Sequence, residues 1–517
     1  MITSVAISQQ NKTSLRTLAI EASLWTSVLL LGLVAITYHA IHCFFPYLLV
    51  PSEAGMLQTT RALSLGIDPW LPANAFDYSN DYGVIYPWIV AQLKPLVPAM
   101  KLIVFMRYVS AAAAFIGLGF IFGALRASAR TALEALAACV AIYAGLLYYD
   151  TLTARPDALA FALYMGGLLW AARRGRWNLA GAGAMGALGF FVKPYALLAF
   201  PMAIVFLWAQ GRLKEIIWLC LGFTLTAFLL GGTILHFSPY YLDGTYFIHL
   251  HATRYSFGHM LGQWLQMAKN HWPILMGIIG SGLFAFKKNR RFLPDGVARA
   301  WAVLTLAIFV VLALGPGGHV GAFLRYYQQL FLPVAILTAT IWFAQLGLSR
   351  GLIVVVLVVD GSMMMAYNIQ AYPLTSYAQE REWKRAETWV ETHPYGIYPA
   401  EFISILIAKN AYVFKTDHNG YLVTLAPDGP VKDNARARVE TAAAEVRAGH
   451  FQSVIDERDL LQLVSGLDPK YRMVGNLCLQ TPLSEMKCFY VYESLQPNVL
   501  RERKVFRSPL GAQDATR

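Results

Sequence analysis

The sequence predicts an α-helical polytopic membrane protein with about eleven transmembrane helices, followed by a small α/β domain outside the membrane. Three observations predict it. Hydrophobic residues make up 57% of the chain against 14% charged, and the mean hydropathy is +0.46. Apolar windows of about 20 residues, enough to cross roughly 30 Å of hydrocarbon as helix, recur from Leu24 to Ile369. From about Gln370 to Arg517 charges become mixed and apolar residues alternate, as in a chain that folds in water.

Met1 to Thr17 is polar and carries Lys12 and Arg16. The apolar run after it is too long for the core of a secretory signal and lacks a small-residue cleavage site, so no cleavable leader is expected. The expected spans are Leu24–Phe45, Leu102–Leu125, Leu133–Tyr149, Ala158–Ala172, Leu179–Val192, Ala196–Ala209, Ile216–Leu235, Pro273–Phe286, Ala300–Leu314, Leu330–Leu346 and Leu352–Ile369. Alternate connections carry Arg126 and Arg130, then Arg173, Arg174 and Arg176, then Arg212 and Lys214, then Lys287 to Arg299, then Arg350. The positive-inside rule makes that side, with the N-terminus, cytoplasmic. An odd number of spans then puts the domain after residue 369 outside. The net charge of +12 is therefore a topology signal, and its short scattered clusters speak against a nucleic-acid partner.

The outer connections collect the unusual polar residues. The first, residues 44–101, is far longer than a connector needs to be. Within it Glu53 opens "EAGMLQTTRALSLG", a helical pattern with Gly66 as its cap. "YPWIVAQLKPL" reads as a second short helix lying in the membrane interface, with Tyr86 in it and Tyr82 just before it as interface anchors. Asp77 and Asp81 in "FDYSNDYGVIYP" compete with Glu53 as the acid of this loop, and Glu53 taken alone reads first as a charge favoured by a helix N-terminus.

"YYDTLTARPDALA" sets Asp150, Arg155 and Asp157 against hydrocarbon. Pro156 suits the first turn of the next helix and Asp157 the positive end of its dipole, yet an acid at a span's end is also a functional candidate. "FFVKPYALL" puts Lys193 at the mouth of the fifth span, where it serves a site or snorkels to headgroups. "FIHLHATRYSFGHM" supplies His249, His251 and Arg254; a lone HxH is a weak signal for a divalent metal. "GGHVGAFLRYYQQLFLP" adds Arg325 and Tyr326 before the tenth span.

In the last 148 residues, 370–517, "RARVETAAAEVRAG" and "ERDLLQLVSGL" have helical spacing, while "FQSVID", "YRMVGNLCLQ" and "KCFYVYES" read as strands. Cys43, Cys139 and Cys220 fall in apolar runs as small hydrophobes. Cys478 and Cys488 flank a hairpin and are disulfide candidates in an oxidising compartment, with two free thiols as the alternative.

Arginine and lysine together suit a phosphate, and a carboxylate suits removal of a proton from a hydroxyl. Their gathering at one leaflet boundary points to group transfer from a lipid-phosphate carrier to an alcohol.

In this layout the chain resembles the GT-C superfamily of integral membrane glycosyltransferases, nearest the branch of lipid A aminoarabinose transferases and protein O-mannosyltransferases. The likeness rests on "PSEAGMLQTTRALSLGIDPW" after span one, "TARPDALA" between spans three and four, "KPYALL" after span five, "RYYQQLFLP" before a late span, and the tail "YPAEFISILIAKNAYVFKTDHNGYLV". It implies an inverting transfer from a polyprenyl-phosphate sugar to a lipid, glycan or protein hydroxyl at the bacterial inner membrane, without a nucleotide sugar. By the same likeness Glu53 would be the general base and Asp157 a second acid placing the acceptor or a metal. Lys193, Arg325 and Arg155 would hold the donor phosphate, and Tyr82, Asp81, His249, His251, Arg254 and Tyr326 would contact substrate. Relatives often carry Asp or an Asp-Glu pair in the first loop, whereas here Ala54 and Gly55 follow Glu53, so no cofactor is assigned and a divalent metal stays open. A secondary transporter or an O-antigen polymerase or ligase is the rival reading; nearly clean spans and the absence of related halves speak against a transporter.

Overall fold

Each apolar stretch expected to span falls on a helix. The computed structural model describes residues 2–80, 82–147, 151–247, 255–287, 296–315, 326–372, 377–409, 411, 428–456, 471–479 and 487–495. The chain begins with α1 (Ile2–Phe44), and three short helices follow in the first long connection: α2 (Glu53–Ser64), α3 (Pro72–Tyr78) and α4 (Ile85–Leu93). Then come α5 (Leu102–Ala127), α6 (Ala132–Leu146), α7 (Asp157–Ala172), α8 (Arg176–Val192), α9 (Ala199–Ala209) and α10 (Ile216–Phe237). The bundle closes with α11 (Phe257–Asn270), α12 (Trp272–Lys287), α13 (Gly296–Leu314), α14 (Leu332–Gln345) and α15 (Arg350–Ala371).

Among the described residues, 6 helical stretches are long and apolar enough to cross a membrane: Thr17–Phe44, Leu102–Ala127, Leu213–Phe237, Gly296–Leu314, Tyr327–Gln345 and Arg350–Ala371. Their outward faces show why. Leu29, Leu30 and Leu33 on α1, and Leu221, Leu225, Phe228 and Leu229 on α10, are exposed side by side, which only a lipid surround would stabilise. The shorter helices α6 and α7 are buried along almost their whole length, so their ends meet protein rather than lipid. α8 and α10 touch backbone to backbone: a Cβ on Gly222 would stand 1.9 Å from the Ala180 carbonyl oxygen.

Among the described residues the basic clusters gather at one end. Arg350 pairs with Glu21 at 2.9 Å, joining the start of α15 to the start of the apolar stretch of α1. Arg212 donates to the carbonyls of Ala171, Ala172 and Arg173 at the end of α7. α2 to α4 lie at the other end, about 39 Å away along the 26 residues of α5 at 1.5 Å per residue.

One connection differs from expectation. Residues 236–272 read as a loop, yet Phe257–Asn270 is helical and ends at His271, next to α12, whose second residue Pro273 cannot donate. Its exposed face continues that of α12 through Leu261, Leu265, Trp272, Met276 and Ile279. Gln263, Gln266 and Asn270, four or fewer residues apart on another face, hid the apolar pattern.

Beyond the bundle lie α16 (Tyr377–Thr392), β1 (Gly396–Ile397), α17 (Ile403–Ala408), α18 (Pro430–Arg447), β2 (Ser453–Asp456), β3 (Tyr471–Leu479) and β4 (Lys487–Ser494). The strands form one sheet in the order β1-β2-β4-β3, with β1 parallel to β2 and the other pairs antiparallel. Cys478 stands opposite Cys488 across β3 and β4, and the two are disulfide-bonded. The helical stretch expected at "ERDLLQLVSGL" lies outside the described residues. This domain roofs the first long connection. Ala75 and Phe76 of α3 share one apolar cluster with Val431, Ala435, Val446 and Val454, and Arg61 of α2 donates to the Ile407 carbonyl at 3.0 Å.

Candidate active site

Two buried charged clusters meet at the loop-bearing end of the bundle, stitched together by the turn 151–156. The first is built on Arg107, a buried arginine inside the apolar helix α5. A guanidinium has five N–H donors, and all are used. Nε and Nη2 form a fork on Glu53 at 2.9 and 2.8 Å. Nη2 also reaches the Tyr47 carbonyl at 2.6 Å, while Nη1 reaches those of Phe45 at 2.5 Å and His42 at 3.5 Å. Glu53 is equally full: besides the fork it accepts the backbone N–H groups of Leu49 and Ala154, each at 2.6 Å. Both side chains are wholly buried. The pair thus pins the exit of α1, the start of α2, the second turn of α5 and the turn before α7 to one another.

The second cluster centres on Asp157. Pro156 caps α7 and leaves Asp157 in its first turn, as the sequence suggests. Lys193 follows the last residue of α8, between Val192 and the Pro194 that stops the helix, and its ammonium pairs with Asp157 Oδ1. The short 3-10 turn Pro194–Leu198 carries Tyr195 back, so that its hydroxyl bridges Asp157 Oδ1 at 3.2 Å and the side-chain oxygen of Gln329. Asp157 Oδ2 faces Arg155 Nε at 3.5 Å. Arg155 also donates to the Tyr82 hydroxyl and, at 3.3 Å, to Ser52 beside the start of α2.

Aromatic rings complete the setting. The Tyr82 ring lies 4.6 Å from Lys193 Nζ and 4.9 Å from the Arg155 guanidinium, and Tyr195 lies 5.1 Å from the same ammonium. The Tyr326 ring meets Tyr195 edge-on at 5.2 Å. Tyr82 reaches this place because the loop presses against the end of α8: Gly83 donates to the Val192 carbonyl at 3.1 Å, and a Cβ on Gly83 would stand 1.8 Å from the Phe191 carbonyl oxygen. The π-helical turn Tyr327–Phe331 brings Gln329 inward; such turns recur at functional sites. Asp157, Arg155 and Lys193 are buried, while Ser52, Tyr195 and Tyr326 form a half-buried rim.

Of the residues expected from the sequence, Asp157, Lys193, Arg155, Tyr82 and Tyr326 come together, and Glu53 adjoins them through Ala154 and Ser52. Asp77 does not join them: it pairs with Arg438 of α18 at 3.2 Å and belongs to the contact with the C-terminal domain. Interface anchoring does not describe Tyr82 or Tyr86. Tyr86 is wholly buried, with its hydroxyl on the Met106 carbonyl at 2.8 Å and Ser110 at 2.9 Å, and Trp88 is the exposed ring of that helix. Asp81, His249, His251, Arg254 and Arg325 lie outside the described residues.

Arg107, Tyr195, Gln329 and Ser52 escaped sequence reading. The signal for Arg107 was present, since a charge within an apolar span calls for a buried partner. The expectation of nearly clean spans needs the same correction: Asp360 in the middle of α15 bonds His271 at 3.0 Å, both buried. Among the described residues no three His, Cys, Asp or Glu side chains converge to hold a metal.

No family model matches the chain, and no curated protein matches it in sequence. Solved structures do. ArnT from Cupriavidus metallidurans, crystallised with undecaprenyl phosphate, superposes with a TM-score of 0.59 over 90% of this chain and 97% of that one, at 11% identity. The same protein in its apo state gives a TM-score of 0.59 over 91% and 98%, again at 11% identity. The chain therefore shares the fold of ArnT over nearly its whole length.

Proposed function

We propose that the chain is a multi-pass membrane glycosyltransferase that moves a sugar from a polyprenyl-phosphate donor to a hydroxyl acceptor at the outer boundary of a bacterial inner membrane. The observation that carries the reading is the buried Asp157–Lys193–Arg155 set, ringed by Tyr82, Tyr195 and Tyr326, in a fold shared with a protein crystallised with undecaprenyl phosphate. The basic clusters at the far end of the bundle support the sidedness, since they mark the cytoplasmic face.

In this reading the acceptor oxygen attacks the anomeric carbon while the bond from that carbon to the phosphate oxygen breaks. The electron pair leaves with the polyprenyl phosphate, and the hydroxyl proton passes to a carboxylate. A phosphate departs already ionised, so it needs cations rather than an acid, and Lys193 and Arg155 supply them, with Arg325 beside Tyr326 as a third. Before the donor arrives, Asp157 occupies the place of an anion between these cations. The donor phosphate competes for the same donors and releases the Asp157 oxygens, which makes Asp157 the base at the moment the leaving group is clamped. Glu53, with four donors already on its two oxygens, serves instead to hold the turn that carries Arg155. The base role that the likeness implies for Glu53 would require it to give up one of these bonds.

The test is to give membranes containing the full chain radiolabelled polyprenyl-phosphate sugars. Label in a new covalent product that disappears with Asp157→Asn supports the transferase. Flux of label without a covalent product supports a transporter and rejects it.

A further inference from the structure

We infer that Trp383, in the C-terminal domain, is a positioning residue for the transfer, acting through the backbone of Tyr47 on the Arg107–Glu53 pair and so on the turn that carries Arg155 and Asp157. The inference rests on the transferase reading above for its kinetic part only.

Trp383 is wholly buried on α16. Its ring stacks on Tyr47, centroids 4.6 Å apart and planes 11° from parallel, and Phe45 meets it edge-on at 6.3 Å. Phe45 and Tyr47 also contact each other edge-on at 5.6 Å, so three rings fix residues 45–47. The carbonyl oxygens of those same two residues accept from Arg107 at 2.5 and 2.6 Å. Arg107 holds Glu53, and Glu53 accepts the Ala154 N–H, one residue before Arg155. Every link from Trp383 to the site is a direct contact. A second tie runs in parallel: Glu387, one turn further on α16, stands 3.6 Å from Lys101, whose ammonium lies 5.3 Å from the Tyr47 ring.

Adhesion of the domain does not require this arrangement. The Phe76 cluster, the Arg438–Asp77 pair and the Arg61 bond to Ile407 already fasten it elsewhere. What the stack adds is a fixed position for two carbonyls that complete the guanidinium's five bonds. If residues 45–47 shift, Arg107 either loses acceptors or follows them, and Glu53 and Ala154 move with it. A displacement of about 1 Å at reacting groups lowers a rate by about 10²-fold.

The experiment compares wild type with Trp383→Ala, Trp383→Phe and Tyr47→Leu as full-length proteins in detergent, by hydrogen exchange and by transfer kinetics. Trp383→Ala and Tyr47→Leu should both raise amide exchange at residues 47–54 and 151–155, leave α3 and α18 unchanged, and lower kcat about 10²-fold with donor KM within about twofold. Trp383→Phe, which keeps a ring for stacking, should restore most of both readouts. Arg438→Ala, a contact of the domain elsewhere, should leave kcat unchanged. If Trp383→Ala does not fold, Tyr47→Leu and Trp383→Phe decide. Exchange at 47–54 and 151–155 equal to wild type in Tyr47→Leu overturns the linkage, as does a loss confined to donor KM. Should wild type transfer no sugar, the exchange data still decide the linkage while the transferase reading fails.

Discussion

Glu53 with Arg107 and Asp157 with Lys193 are both buried ion pairs at the same end of the molecule, yet they are built for different purposes. In the first, five donors and four acceptor positions are all filled, mostly by backbone groups from residues 42–49 and from Ala154. In the second, the partners are side chains: an ammonium, a guanidinium at 3.5 Å and a tyrosine hydroxyl shared with Gln329, under rings that reach a half-buried rim. Backbone partners cannot leave without unfolding a segment, whereas side chains can exchange one anion for another. In the proposed function the saturated pair holds the fold and the other carries the chemistry.

Breaking the reactive pair should have the largest effect on catalysis. Asp157→Asn should lower transfer by about 10²- to 10⁴-fold, the range of a lost general base, and, since it leaves Lys193 and Arg155 buried without a counter-charge, should also lower the thermal unfolding temperature. Breaking the saturated pair should act mainly on stability. Glu53→Gln leaves a buried guanidinium uncompensated and should cost about 3–5 kcal/mol in denaturant or thermal unfolding. Removing the charge from both sides, with Glu53→Gln and Arg107→Gln together, should recover part of that loss. A Glu53→Gln protein that is fully stable and inactive would move the base role to Glu53.

Two smaller changes sharpen the contrast. Gly83→Ala forces a methyl onto the Phe191 carbonyl and should cost about 1–3 kcal/mol, with Tyr82 displaced from the cations and a rise in donor KM. Tyr195→Phe removes one hydroxyl between Asp157 and Gln329 and should reduce kcat by roughly 2- to 12-fold, the worth of about 0.5–1.5 kcal/mol for a single hydrogen bond.

Helix positions were legible because a lipid surround leaves periodicity little to decide: length and apolarity suffice, and the stretch starting at Leu102 matches its helix at the first residue. Of the helices beside the membrane stretches, α11 was missed because Gln263, Gln266 and Asn270 turn a polar stripe inward, so that hydropathy reports a loop. At the site, residues next to helix breakers were readable, since Pro156 and Pro194 announce where Asp157 and Lys193 must sit. Arg107 was not read, because its meaning depends on carbonyls from residues 42, 45 and 47 that no spacing rule connects to it. Gln329 depends on a π-helical turn, which shifts the facing of a side chain without changing any residue. Trp383 lies 336 residues from Tyr47 in sequence, and nothing local to either ring predicts their stacking.

The central claim is that Lys193 and Arg155 are held by Asp157 only until a lipid phosphate takes its place. The most direct measurement is the affinity of the purified full-length protein for undecaprenyl phosphate, in wild type, Lys193→Ala and Asp157→Asn. Lys193→Ala should weaken binding at least about tenfold, the worth of one charge-assisted contact of about 1.5–3 kcal/mol, while Asp157→Asn, relieved of the competing carboxylate, should bind more tightly than wild type even as transfer is lost. Wild-type affinity in Lys193→Ala, or weaker binding in Asp157→Asn, would contradict the account.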